Sequence, residues 1–243
     1  MKLLVASPAY DGVKNNFFHS ALALKNALNK EGIPATFITA PGMPVDAARD
    51  VIANGFRRMR AAYDRLLMID NDMGYQPGTV LEMLASDHDF CVAAPPLRRT
   101  RVDLALEAAA SGRSDPARFA SEFAMEPLAG DRERKAVTLV GGFQQVEHAG
   151  SAFMLLSQKV FDAIADANPK LGYRAADGAL EHTFFHRRLV EGYPGGPRGE
   201  DVSFSRYWRD AGGQIWLLVD AALTHEGPCT FSGNYAKITG LAD

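Results

Sequence analysis

Asp70 and Asp72 are two carboxylates spaced i, i+2 at the end of the apolar run Leu66-Leu67-Met68-Ile69. Hard oxygen donors held close together suit a divalent cation that keeps open positions for phosphate oxygens. The alternative is a loop with two solvated aspartates. Three further features bear on the chemistry. Gly199-Glu200-Asp201 puts an acidic pair at the start of a helical pattern. There it is part of a functional constellation or only a complement to the helix dipole. His225, in Thr224-His225-Glu226-Gly227, is part of the same constellation or a hydrogen-bonded surface histidine. Gly150 interrupts an apolar stretch at Gly150-Ser151-Ala152-Phe153, as part of the site or only as a bulge.

The elements that must position these groups alternate between strand and helix. The run 66–69 is apolar throughout, which reads as a buried strand, parallel to its neighbours. Its carboxylates then sit at the C-terminal edge, where open α/β sheets bind ligands. Lys2 to Ala6 reads as a first strand and 7–12 as a turn-rich loop. Phe17, Ala21, Leu24 and Leu28 recur at helical spacing, and Gly32 stops that helix. Ala35 to Thr39 is a second strand, and a helix runs from Asp46 to about Tyr63. Pro77 opens a helix whose buried face is Val80, Leu81 and Leu84. Asp89 to Ala93 is a fourth strand, ended by Pro95-Pro96-Leu97-Arg98-Arg99. About 103–135 reads as an insertion of short helices and loops. Val137 to Val140 reads as a strand, Gln145 to Leu156 as a strand with a glycine break, and Gln158 to Ala167 as a helix. Residues 168–199 are irregular, with Gly192, Pro194, Gly195, Gly196, Pro197 and Gly199 crowding their end. A loop of that length is usually functional or mobile. Glu200 opens a helix carrying Val202, Phe204, Tyr207 and Trp208, closed by Gly212-Gly213. Gln214 to Val219 is a last strand, and His225 follows in a loop. This order predicts an α/β doubly wound sheet.

The chain has 243 residues, 47% hydrophobic and 23% charged, which fits one soluble α/β domain. Its net charge of -3 gives no global attraction to nucleic acid or anionic membrane. Cys91 and Cys229 form neither a disulfide framework nor a zinc site. Cys91, between Phe90 and Val92, reads as a small buried hydrophobe. The first residues are too short an apolar run for a signal peptide, and no stretch reaches the ~20 apolar residues of a membrane span. The expected location is the cytoplasm.

Taken in order, these motifs resemble the GT-A nucleotide-sugar glycosyltransferases, in particular small bacterial and phage-type members related to glycosyltransferase family 2. Asp70-Asn71-Asp72 resembles the DxD motif, followed by Met73-Gly74-Tyr75. Pro8 and Tyr10 fall where the family's first loop meets the nucleotide base. Arg49-Asp50 stands where relatives show Arg-Asn, and Arg98 where they carry Lys after a proline. Gly150-Ser151-Ala152-Phe153-Met154 is similar to a Gly-x-Gly-Phe-Met segment, with Ala152 in place of the second glycine. Glu200-Asp201, Trp208, Gly212-Gly213 and Ile215-Trp216 match the family's Glu-Asp helix and following strand. Thr224-His225-Glu226-Gly227 is similar to its terminal His-x-Gly. The resemblance implies a single GT-A domain over 1–243. Its nucleotide-binding half is about 1–95, and its acceptor-binding and catalytic half about 136–243.

It also implies a function: metal-dependent transfer of a sugar from a nucleotide-diphosphate donor to a hydroxyl, by a hexosyltransferase-like, inverting displacement. The acceptor would be a glycan, a lipid-linked intermediate or a modified DNA base. A divalent ion would stabilise the leaving diphosphate. Asp72 and His225 would be its ligands, with Asp70 on the metal, its water or the ribose. A carboxylate plus an imidazole favours Mn2+ over Mg2+. Arg49 or Arg98 would meet the phosphates, Asn71, Gly150 and Ser151 would line the nucleotide-sugar site, and Asp201 would be the base, with Glu200 in reserve. Tyr75, Trp208 and Trp216 are sugar-stacking surfaces or core aromatics. Phe184-Phe185-His186-Arg187-Arg188 is an acceptor-contact patch or an amphipathic helix. Two other readings share the nucleotide: a sugar-phosphate nucleotidyltransferase, which lacks support in the loop 7–12, and a catalytically silent nucleotide-sugar-binding protein.

Overall fold

The computed structural model describes residues 1–134, 137–191, 196–227 and 230–241. The elements run β1 (Leu3–Ala9), α1 (Asn15–Lys30), β2 (Ala35–Pro41), α2 (Val45–Arg58), β3 (Arg65–Ile69), β4 (Met73–Tyr75), α3 (Pro77–Ala85) and β5 (Phe90–Ala93). A stretch of short pieces follows, with α4 (Val102–Ala110), β6 (Met125–Pro127), α5 (Ala129–Arg134) and β7 (Leu139–Val140). The second half holds β8 (Phe143–Ala149), β9 (Phe153–Ser157), α6 (Gln158–Ala167), β10 (Gly172–Arg174), β11 (Leu180–His182) and α7 (Glu200–Asp210). It closes with β12 (Ile215–Leu218), β13 (Ala222–Glu226), β14 (Thr230–Asn234) and α8 (Tyr235–Thr239).

The central sheet has the order β2-β1-β3-β9-β5-β12-β8-β6, with β7 beside β8. It is mostly parallel in direction. β1 runs parallel to β2 and β3, and β5 parallel to β12, while β9 runs against both β3 and β5 and β8 runs against β12. The apolar runs follow from burial on both faces. Leu4, Ala6, Leu66 and Met68 pack on one face with Ile52 and Phe56 of α2, Phe161 of α6 and Phe204 of α7. Leu3, Val5, Leu67 and Ile69 pack on the other with Leu24 and Leu28 of α1 and Val80 and Met83 of α3. Cys91 belongs to this second face as a buried free thiol whose pKa burial pushes up. Gly32, at φ +66, follows the end of α1 as its C′ glycine.

Several expectations are corrected. The glycine-broken strand is two strands, β8 and β9, which β5 and β12 separate in the sheet. β3 pairs in parallel with β1 on one side and antiparallel with β9 on the other. α2 stops at Arg58, and Ala62 and Tyr63 turn back onto the Met59 carbonyl. The irregular stretch contains the β10–β11 hairpin. His225 lies in a strand, β13, which pairs with β14 and β4 in a separate three-stranded sheet. Phe184 and Phe185 are buried core residues in non-helical backbone, so the segment is not an amphipathic helix; Arg187 is exposed beside them. Gly192, Pro194, Gly195 and Cys229 lie outside the described residues.

Candidate active site

The site forms at the edge where β3 and β5 end, and each of its parts reaches that edge for a structural reason. β3 delivers Asp70 directly after Ile69. β9 runs in reverse, so its start lies beside the end of β3: Ile69 pairs with Phe153, and the Asp70 amide donates to the Ala152 carbonyl at 3.0 Å. The Gly150-Ser151-Ala152 turn is thereby brought to the carboxylates. Gly150 is required by space. A Cβ there would sit 2.8 Å from Ala124 Cβ, in the insertion that packs over the turn. β4 continues from Asp72, and β13 pairs with it so that His225 stands opposite Met73. The Glu226 amide donates to the Asp72 carbonyl at 2.8 Å, which fixes that register. α7 begins at Glu200, so its first turn also faces this edge.

Two ion-paired clusters result. In the first, the Arg49 guanidinium of α2 reaches Glu200 Oε1 at 2.7 Å and both oxygens of Asp70 at 2.8 and 3.0 Å. Arg49 is almost fully buried. Burial opposes its charge, but Asp70 and Glu200 more than offset that and hold its pKa above the ordinary arginine value. In the second, Arg98 pairs through its terminal nitrogen with Asp72 Oδ2 and donates from Nε to His225 Nε2 at 2.9 Å. His225 Nδ1 lies 2.9 Å from the Pro96 carbonyl. A carbonyl can only accept, so Nδ1 carries the proton and the Nε2 lone pair accepts from Arg98; Asp72 Oδ1 is 3.4 Å from that nitrogen. Burial, opposed by the Pro96 carbonyl and Asp70 and reinforced by the charge of Arg98, lowers the His225 pKa.

A cavity of about 180 Å³ is lined by Arg49, Asp70, Gly150, Ser151, Glu200, Asp201 and His225. Seven residues singled out in the sequence thus share one wall. Asp72 joins them through His225. Three buried polar atoms around this edge have no hydrogen-bond partner: Asp72 Oδ1, Ser151 Oγ and Arg49 Nε. Asp201 Oδ1 accepts the Val202 amide at 2.7 Å.

The remaining candidates are elsewhere or differently engaged. Asn71 holds the loop after β1: its side chain donates to the Gly12 carbonyl, and its own carbonyl accepts from Lys14 N at 3.0 Å. Pro8 is buried within β1 and Tyr10 is exposed beside that loop; neither lines the small cavity. Tyr75 and Trp208 are buried, the partly buried Trp216 stacks on His88 at 4.5 Å, and none of the three lines the small cavity. A larger cavity of about 720 Å³ has Thr224 in its wall where the small one has His225, and it holds none of the candidate carboxylates. Pro96 is a site residue that pattern reading passed over, because its contribution is a backbone carbonyl. Among the described residues, no group of three or more His, Cys, Asp or Glu is arranged to hold a metal. Asp72 and His225 offer two ligand atoms, and a cation there would complete its shell with water and phosphate oxygens. No helix among the described residues is long and apolar enough to cross a membrane.

No family model matches this sequence, and no curated protein does. Among solved structures the chain is similar to the crystal structure of A197 from STIV, with a TM-score of 0.48 and 14% identity, covering 93% of this chain and 86% of that one.

Proposed function

We propose that this chain is a metal-dependent GT-A-type glycosyltransferase that moves a sugar from a nucleotide-diphosphate donor to a hydroxyl acceptor. One observation carries the reading. Carboxylates and an imidazole from three distant segments, 70–72, 200–201 and 225, converge at the ligand-binding edge of a mostly parallel sheet. Asp72 and His225 Nε2 would hold the divalent ion, for which a carboxylate and an imidazole suit Mn2+. Bound there, it stabilises the negative charge of the departing diphosphate.

The chain's own groups do the rest. Glu200 and Asp70 share the Arg49 guanidinium, and Asp70 would meet the ribose or a bound water. Asp201 lines the cavity and commits one oxygen to the Val202 amide, which leaves the other to take the proton of the attacking hydroxyl. The buried Ser151 hydroxyl, which has no partner, orients the sugar or the acceptor. An inverting displacement needs this single base opposite the leaving group.

The test separates donor binding from proton transfer. Asp201→Asn keeps metal-dependent stabilisation by the donor. It lowers the release of nucleoside diphosphate from that donor, with water as acceptor, by about 100-fold or more. Undiminished release in this variant removes Asp201 as the base.

A further inference from the structure

Asp72 and His225 lie 3.4 Å apart and already share one cation, which belongs to the chain. Arg98 pairs with Asp72 Oδ2 and donates from Nε to His225 Nε2 at 2.9 Å. These are lone pairs that a divalent ion at this position must take. Only Asp72 Oδ1, buried and without a hydrogen-bond partner, is left uncommitted.

Resting on the metal-dependent reading above, we propose that Arg98 is an exchangeable internal cation. It fills the metal position of the empty site, the arriving divalent ion displaces it, and it is then free to bind the donor's diphosphate.

Electrostatics and anatomy both support exchange over coexistence. Asp72 with Arg98 is a neutral pair. Adding a divalent charge while the guanidinium stays in contact would bring like charges together with a single carboxylate between them, a repulsion that grows as the site loses water. The seat itself is rigid. Asp72 is buried, and the Pro96 carbonyl holds His225 at 2.9 Å. The Arg98 side chain is 45% exposed and lies in the segment after β5, so the head group can leave while its neighbours stay. A guanidinium fork released beside the metal is suited to two phosphate oxygens. The ion therefore binds weakly alone, because it must break two charge-assisted hydrogen bonds to enter. A diphosphate that accepts Arg98 restores what was lost, so metal and donor favour each other's binding.

The experiment is a titration with Mn2+ alone, following the free ion by its paramagnetic resonance signal. It uses the full chain, Arg98→Ala, and the double variant Asp72→Ala/Arg98→Ala, with folding checked by circular dichroism. Arg98→Ala is expected to bind Mn2+ at least tenfold more tightly than the parent chain, and the double variant to lose that binding. Equal, measurable affinity in the parent and Arg98→Ala overturns the exchange and leaves the metal reading standing. Tight binding retained by the double variant also overturns it, because the ion is then not at Asp72. No Mn2+ binding by Arg98→Ala overturns the exchange, because removing the guanidinium then opens no seat for the ion, and leaves the metal reading to the titration with donor present.

Discussion

Arg49 joins the two acidic motifs. It is 4% exposed at its side chain and carries Asp70 on one nitrogen and Glu200 on the other. Removing the guanidinium leaves two partly buried carboxylates facing each other without their counter-charge. Arg49→Met is therefore expected to lower unfolding stability by about 3 kcal/mol, in line with breaking other buried pairs. Urea unfolding measures this, and a loss below about 1 kcal/mol would show that the cluster is not a structural unit. At this scale the sequence was informative about residue types and silent about partners. Asp70, Asp72, Asp201 and His225 stood out by spacing. That Arg49 would be engaged by two carboxylates rather than free for phosphate was not legible, because its partners lie 21 and 151 residues away.

Asp50, one residue on, joins α2 to the segment that leads toward α7. Its Oδ1 accepts the Phe185 amide at 2.8 Å, while Asn54 on the same helix exchanges hydrogen bonds with the His182 backbone. Burial pushes the Asp50 carboxyl up to about 7, aided by Asp46 and Glu181 and opposed by the amides of Phe184 and Phe185. The folded chain thus keeps a proton that the unfolded chain releases near the ordinary carboxylate value. The stability this contributes is fully present below that ordinary value and is lost as pH rises through about 7. Asp50→Asn removes the titration and keeps the acceptor oxygen. Its stability relative to the parent should rise by about 2–3 kcal/mol between pH 5 and pH 8. Parallel urea midpoints in the two proteins measure this, and a difference that does not change with pH would contradict it. The main helices were legible from apolar spacing, α6 to its end residues. β10 and β11 were hidden because three-residue strands carry no alternation. The identity of β13 was hidden because it is half exposed and takes its register from β4, some 150 residues earlier. The separation of β8 from β9 is a matter of strand order, which a local pattern does not contain.

At the scale of the molecule, alternating side chains send two apolar cores to opposite faces of one sheet, which leaves its edge for polar chemistry. The α/β class was legible because the runs at Leu3–Ala9 and Arg65–Ile69 are buried on both faces. The antiparallel entry of β9 beside β3 was not, although it brings Gly150 and Ser151 to the carboxylates. In the proposed function this edge binds a nucleotide-sugar through a metal held by Asp72 and His225. Thermal unfolding against UDP-, GDP-, TDP- and CMP-sugars, each with and without Mn2+, tests it most directly, since a ligand of the folded state raises the melting temperature. Stabilisation is expected from one nucleotide series, only with Mn2+, and is lost in Asp72→Ala. Stabilisation by a nucleotide-sugar that is independent of Mn2+ and intact in Asp72→Ala, or none by any donor with the protein folded, would contradict it.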